Sequence, residues 1–381
     1  MQEPPEDYRK FVEDAYPLFV RILEIANPSG EEAELSAFLS EELTKLGASM
    51  RNDEAGNLIG SLGEGDHALL LGGHLDSVEP CRGIKVERNG DIVKSAGDTI
   101  LSADDGAGLF EILVAMQYLT AKKIAHCPVD FLFTVGEEVG GIGVNAFDPS
   151  SVRAKHGILL DRAAPVGNFV IAAPYKRNFR VTFRGKPAHA FEAEKGISAI
   201  HMASAAIAQF PQGRIKDDLY ANIGKIQGGD SVNQVPEHAI LEGEVRAFNS
   251  LDAESLLEQY DRILQSIQYQ FAISGEFSPE VSFEYTDRRE GYQHDPDLPI
   301  IKLLFELHEK MGIETHTQIT RACSDAGDLT GKGIATINYA NGSNNIHTKD
   351  EWVDMKDVVQ VSWLMTQVLE EIGKKPEMLE A

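Results

Sequence analysis

Short apolar runs that each end on an acid or a histidine recur along this chain, and no other feature narrows its fold so far. Ala68-Leu69-Leu70-Leu71-Gly72-Gly73 runs into His74, with Asp76 two residues on. Phe131-Leu132-Phe133-Thr134-Val135-Gly136 delivers Glu137 and Glu138, and Gly157-Ile158-Leu159-Leu160 delivers Asp161. Ile334-Ala335-Thr336-Ile337-Asn338-Tyr339 leads through a short turn to His347, and Ile100-Leu101-Ser102-Ala103 leads into Asp104 ahead of a helix-like stretch, Leu109 to Leu119. Apolar runs of this length bounded by glycine read as strands buried on both faces, and such strands alternating with helices form a parallel sheet. Ligands bind beyond the carboxyl ends of the strands in sheets of this kind. Five segments spread over most of the sequence are therefore expected to bring acids and histidines to one spot.

The texture changes near Tyr175. Phe179-Arg180-Val181-Thr182-Phe183 alternates with period two, as a half-exposed antiparallel strand does. A helix from Gly196 to Phe210, strands over Ala221 to Gln227 and Ala239 to Phe248, a helix from Asp252 to Ile273 and a strand from Val281 to Tyr285 follow. That order is β-α-β-β-α-β, the ferredoxin-like split unit. The expected organisation is an α/β catalytic domain over residues 1–176 and 289–381, its sheet mixed but largely parallel, with an inserted ferredoxin-like α+β lid over residues 177–288. The opening reads as one helix from Tyr8 to Ala26. A second helix follows Asn27-Pro28-Ser29-Gly30, where Ser29 and Glu32 have capping-box spacing and Gly47 marks the stop. The outer domain resumes with a helix from Pro299 to Met311 and closes with one from Asp354 to Ile372.

Composition removes several classes of partner. A formal net charge of −25 argues against nucleic acid and anionic membranes, both of which want a basic surface. No apolar stretch approaches the roughly 20 residues that span a bilayer. The start, Met1-Gln2-Glu3-Pro4-Pro5-Glu6-Asp7, has neither a basic nor an apolar leader region. Cys81, Cys127 and Cys323 are widely spaced and lack ligand spacing, as expected of reduced thiols, so a cytoplasmic location is anticipated.

Each site residue has a bland reading when taken singly. His74 and His347 are ordinary histidines, Asp104-Asp105-Gly106-Ala107-Gly108 is a helix cap with a turn, and Asp161 caps a turn. Taken together they fit a metal centre. Adjacent carboxylates such as Glu137 and Glu138 repel unless a cation neutralises one of them, which leaves the other free as a base on water. Asp76, two residues after His74, stands where an acceptor for the ring's second N–H would stand. Imidazole and carboxylate without thiolate suit zinc, cobalt or manganese.

These segments resemble the dinuclear zinc exopeptidase family that includes peptidase T and carboxypeptidase G, and most closely its peptidase T-like, tripeptide aminopeptidase branch. The resemblance covers nearly the whole chain, the inserted domain included. It implies two divalent metals, zinc in the first place with cobalt or manganese as alternatives. His74 and Asp161 would hold one, Glu138 and His347 the other, and Asp104 would bridge them. It assigns Glu137 as general base acting on a bridging hydroxide, Asp76 as the residue that orients His74, and His189 of Pro187-Ala188-His189-Ala190 as the group that stabilises the oxyanion. Asn233, Arg246 and Ser324 fall where relatives contact substrate. One departure is visible: relatives carry Asp-Asp-Lys-x-Gly where this chain has Gly106. The implied activity is hydrolysis of short peptides by an aminopeptidase of the tripeptidase type, with an amidohydrolase or carboxypeptidase acting on N-acyl amino acids as the alternative. The implied partners are a short peptide and a second copy of the chain, paired through the lid.

Overall fold

The computed structural model describes residues 3–272 and 277–379. The chain folds as two compact units, one made of residues 1–172, 293–320 and 324–381, the other of residues 173–292 and 321–323.

In the larger unit the sheet runs in the order Ser49–Asn52, Leu58–Leu62, Val129–Thr134, Leu69–His74, His156–Arg162, Ala335–Ala340, Asn168–Ala173, with His316–Ile319 beside the last. The four strands from Val129–Thr134 to Ala335–Ala340 are mutually parallel, whereas Leu58–Leu62 and Asn168–Ala173 join them antiparallel. The sheet is thus mixed and largely parallel. Its centre is dry: every residue of Leu69–His74 and of Val129–Thr134 is buried. That explains why these strands read as continuous apolar runs with no alternation.

Register then sets the site. His74 lies opposite Thr134, and Gly72 pairs with Leu159, which places Asp161 level with His74 at the carboxyl edge. Two glycines are required there. A Cβ on Gly72 would stand 2.1 Å from the Leu132 carbonyl oxygen, and one on Gly73 would stand 1.8 Å from Oδ2 of Asp105.

The helix Ala103–Lys122 is buried around nearly its whole circumference and packs between the sheet and the closing helix Met355–Lys374. Asp354 caps the latter, accepting from the Lys356 N–H at 2.8 Å. The expected opening helix is in fact two, Glu6–Asp14 and Tyr16–Glu24, broken where Pro17 opens the second. Proline fits a first helical turn and cannot continue one. The helix after Gly30 is Ala33–Lys45, and the chain leaves it through Gly47 at φ +94°. A small sheet that the sequence reading passed over joins Ser343–Asn344, Trp352–Asp354, Ile92–Ser95 and Val86–Asn89. Its hairpin turns at Gly90-Asp91, with the glycine at φ +64° in the first turn position.

The smaller unit is an antiparallel sheet in the order Gly213–Lys216, Leu219–Gly228, His238–Ala247, Tyr175–Arg184, Glu280–Arg289. Ala199–Gln209 and Ser250–Phe271 pack on it. Apart from the extra edge strand Gly213–Lys216, this is the split-unit order read from the sequence. The expected end of the second helix at Ile273 lies outside the described residues. Phe179, Val181 and Phe183 all face the core, with Tyr260 stacked on Phe210 at 4.0 Å between ring centroids. The unit takes in more chain than 177–288 because strand pairing continues to Lys176 and Arg289. The buried Arg177 guanidinium ties the same ends together through Glu254, Glu290 and the Arg289 carbonyl.

One core group is out of place energetically. Glu111, on the helix Ala103–Lys122, is fully buried, and neither of its carboxyl oxygens meets a hydrogen-bond donor among the described residues. Burial first, and then the carboxylates of Asp105 and Asp357, hold its pKa well above the ordinary value. A carboxyl raised in the folded state imposes no ionisation cost below its unfolded pKa, and the cost grows as pH rises towards the folded value. Glu111→Gln is therefore expected to raise the melting temperature at pH 8 and to leave it nearly unchanged at pH 4, as checked by thermal unfolding at both pH values.

Candidate metal and catalytic site

The larger unit brings its five ligand-type residues to one point at the carboxyl edge of the sheet. Asp104 is the centre. Its Oδ1 lies 3.4 Å from Nε2 of His74, and its Oδ2 lies 3.1 Å from Nε2 of His347. His74 Nε2 is also 3.6 Å from Oδ1 of Asp161, and His347 Nε2 is 2.8 Å from Oε1 of Glu138. The residues therefore sort into two imidazole–carboxylate pairs, His74 with Asp161 and His347 with Glu138, one on each oxygen of Asp104. Ligand atoms of His74, Asp104 and Glu138 all lie within 4.8 Å of one another.

Acid is in excess at this point, and the charges respond to it. Burial pushes Asp161 up to about 6, with His74 pulling the other way. Burial opposes ionisation of Asp104 too, but contact with both imidazoles keeps its carboxyl below the usual range. His347 is raised to about 10 by Asp104 and Glu138, and His74 is held well above its ordinary value by Asp104, Asp161 and Asp76 despite its burial. Carboxylates arranged to stabilise positive charge on two imidazoles are equally arranged to stabilise it on two cations. Two imidazoles and three carboxylates without a thiolate suit divalent zinc, cobalt or manganese, so the residues present fit a metal pair.

The local sequence explains each placement. Ser102 is left-handed at φ +58°, and Asp104 and Asp105 leave helical geometry at the head of their helix, which turns the Asp104 carboxylate away from the helix axis. Asp105 points into the scaffold, accepting from the His74 N–H at 3.2 Å and from Nδ2 of Asn341 at 2.9 Å. Gly108 clears the space, since a Cβ there would stand 2.4 Å from Oδ1 of Asp105. At Gly106 an added Cβ would meet Leu23 at 3.0 Å and Ile22 at 3.5 Å, so apolar packing from the helix Tyr16–Glu24 occupies the ground a lysine stem would need.

Asp76 does something other than expected. The acceptor nearest Nδ1 of His74 is the main-chain carbonyl of Asp76 at 2.8 Å, with the carboxylate at 3.6 Å. The carboxylate is spent on the neighbouring turn, where Oδ1 accepts from the Glu137 N–H at 2.9 Å and Oδ2 from the Glu138 N–H at 3.2 Å. Asp76 thus fixes His74 through its backbone and the paired glutamates through its side chain.

The sequence reading missed Glu351. This buried carboxylate accepts from the N–H groups of Leu101 at 2.8 Å, Ser102 at 2.9 Å and Asp104 at 3.0 Å, fastening the Asp104 turn to the segment that carries His347. Burial pushes its pKa up to about 7. Each buried N–H left without an acceptor would cost about 1–3 kcal/mol. Its one sequence signal was an acid four residues after His347, and Asp350 beside it is equally acidic.

Ser324 precedes the helix Asp325–Gly331 in the larger unit, where the buried Asp325 accepts from Oγ1 of Thr134 at 2.6 Å. The other substrate-side candidates belong to the smaller unit. His189 is exposed, its Nδ1 accepts from the Phe191 N–H at 3.2 Å, and it bridges to Gln234. Asn233 is on the same loop pair, its carbonyl accepting from the Ala190 N–H at 3.0 Å. Arg246 is not with them. It stands at the other end of the strand His238–Ala247, opposite Lys176, whereas His238 is opposite Arg184. Roughly 27 Å of strand separates Arg246 from His238, and the His189 loop lies past the latter. The Arg246 guanidinium is not an open fork either. Nε and one terminal nitrogen bind Glu244 at 3.0 and 3.1 Å, and the other binds the Arg321 carbonyl at 2.7 Å.

Comparison with known proteins finds peptidases among the relatives of this chain. Residues 57–221 match peptidase family M28, and residues 176–272 match a peptidase dimerisation domain. The uncharacterized protein YqjE of Bacillus subtilis is 33% identical over 368 residues, covering 93% of this chain and 97% of its own length. The crystal structure of aminopeptidase PepT from Bacillus cereus has a TM-score of 0.84 at 30% identity, covering 96% of this chain and 98% of that one. A tripeptidase from Staphylococcus aureus has a TM-score of 0.84 at 26% identity, with 96% and 99% covered.

Proposed function

The chain belongs to the peptidase T-like family of peptidases, and from that premise we propose how it works as a metal-dependent peptidase of the tripeptidase type. The observation that carries the reading is the placement of the two Asp104 oxygens against two separate imidazole–carboxylate pairs. In our reading His74 and Asp161 would hold one divalent ion and His347 and Glu138 the second, with Asp104 shared between them and zinc the first candidate metal. Such a pair polarises a carbonyl and acidifies water when bound.

Glu137 does the proton work. Its main-chain N–H is pinned by Asp76, beside Glu138, and its carboxylate is assigned to take a proton from the attacking water. It then returns that proton to the leaving amine, the usual cycle of a general base that becomes a general acid. His189 is assigned to the developing oxyanion, a stabilisation that is often the largest single contribution in acyl transfer. Asn233, Arg246 and Ser324 are assigned to the substrate. Because Arg246 is forked onto Glu244, a substrate carboxylate would reach it by displacing that partner. The fit to peptidases favours a peptide over an N-acyl amino acid as substrate. No helix among the described residues is long and apolar enough to cross a membrane. We place the reaction in the cytoplasm, a reading supported by the buried thiols of Cys81 and Cys127.

Both His189 and Arg246 can serve one tripeptide, about 10 Å long when extended, only if they come from different copies of the chain. The match of residues 176–272 to a peptidase dimerisation domain supports a homodimer that would supply them.

Two outcomes are expected. Glu137→Gln should stay folded and keep its metal while tripeptide turnover falls by on the order of 10²–10⁴, whereas Glu138→Gln should lose metal; elemental analysis beside a hydrolysis assay checks both. The reverse pattern would exchange the two roles. For the homodimer, His189→Ala and Glu137→Gln chains, each nearly inactive alone, should regain activity when unfolded and refolded together. The mixed dimer has one site that receives a wild-type residue from each chain. No recovery in a mixture shown to contain heterodimer would place His189 and Glu137 in the same copy or remove His189 from the reaction.

A further inference from the structure

The turn that carries the base is held in an unusual way. Four consecutive main-chain N–H groups, Val135 to Glu138, each donate to a side-chain oxygen from an earlier segment. Val135 donates to Oδ1 of Asn57 at 3.1 Å, Gly136 to Oε1 of Glu32 at 3.2 Å, and Glu137 and Glu138 to Asp76 at 2.9 and 3.2 Å. The cradle is itself braced. Ser29 donates its hydroxyl to Oδ2 of Asp76 at 2.6 Å, Glu32 also accepts from the Gly30 N–H at 2.8 Å, and Nδ2 of Asn57 donates to the Gly143 carbonyl at 2.9 Å. Asn27 ties this segment to the end of the His74 strand through the Leu75 carbonyl at 2.7 Å.

Ser29 and Glu32 have the spacing of a capping box, yet neither caps the helix that follows. The residue at the cap position is Glu32, and no side chain there accepts from the first turn. Both side chains reach across to the Gly136–Glu138 turn or to the residue that holds it. Glu32 is buried, although a glutamate at a helix start is ordinarily exposed. Gly136 sits at φ +63°, so the turn is in a region that the chain enters readily only at glycine, and outside contacts must select it.

We infer that Ser29, acting through Asp76, and Glu32, acting on Gly136, are positioning residues that set where the Glu137 carboxylate stands. The inference rests on Glu137 being the base. A carboxylate displaced by about 1 Å can cost on the order of 10²-fold in rate, so loss of one brace should appear in kcat.

Ser29→Ala and Glu32→Ala are expected to lower kcat on tripeptides by about 10-fold or more, with KM and metal content nearly unchanged. Ser29→Thr, which keeps the hydroxyl, and Glu32→Gln, which keeps an acceptor oxygen, should recover most of the loss. Each alanine change is then repeated in the Glu137→Gln background. If the braces act through Glu137, they should subtract little further from the residual rate there, since removing the base removes what they position. Additive losses in that background, or losses accompanied by metal release, would overturn the positioning role while leaving the base assignment intact. Unchanged kcat in both alanine variants would overturn it as well. Unchanged turnover in Glu137→Gln alone would instead sink the assignment of the base. Should Glu32→Ala fail to fold, the half-buried Ser29→Ala carries the same comparison.

Discussion

One carboxylate, Asp104, organises this protein. It is buried, its two oxygens face two different imidazoles, and each imidazole has a second acid of its own. Buried carboxylates at such separations are unfavourable unless positive charge lies between them. The neighbouring acids favour the charged form of both imidazoles, and a pair of divalent cations would supply more positive charge. Every nearby departure from regular structure serves this requirement: the left-handed Ser102, the non-helical Asp104 and Asp105, and the glycines at 72, 73 and 108 that make room.

The scaffold meets the requirement with hydrogen bonds from distant segments. Glu351 fastens the Asp104 turn to the His347 segment across more than half of the chain. Asp76 fastens the Glu137–Glu138 turn to the His74 strand, and Asp105 accepts from both that strand and Asn341. A ligand set gathered from five segments is precise only when its supporting shell is held as firmly as the ligands are. Here the supporting groups are acids that accept from main-chain N–H groups at or beside the candidate ligands His74, Asp104 and Glu138.

Much of this was legible in the sequence, for a physical reason. Strands buried on both faces carry no alternation to blur them, so the runs ending at His74, Glu137 and Asp161 stand out, and the topology of parallel sheets says where their ends must meet. The inserted unit was legible from the switch to period two at Phe179. What escaped notice depends on partners far away in sequence. Ser29 and Glu32 have the spacing of a cap, but their acceptors and donors lie near residues 76 and 136. Asp76 looked like the acceptor for His74, and which of its atoms does so is decided by a turn the sequence does not spell out. Glu351 is one acid among several on a polar stretch. The separation of His189 from Arg246 needs strand register, which no local pattern contains.

The bridging role of Asp104 is the centre of the account, and metal stoichiometry tests it most directly. Zinc content measured by elemental analysis after equilibration and desalting should be about two ions per chain in the wild-type protein. Asp104→Asn preserves shape and removes the charge that both ions would share. It is expected to lose both, retaining well under one zinc per chain while its circular dichroism spectrum is kept. A folded Asp104→Asn protein that still holds two zinc ions with undiminished affinity would contradict the account.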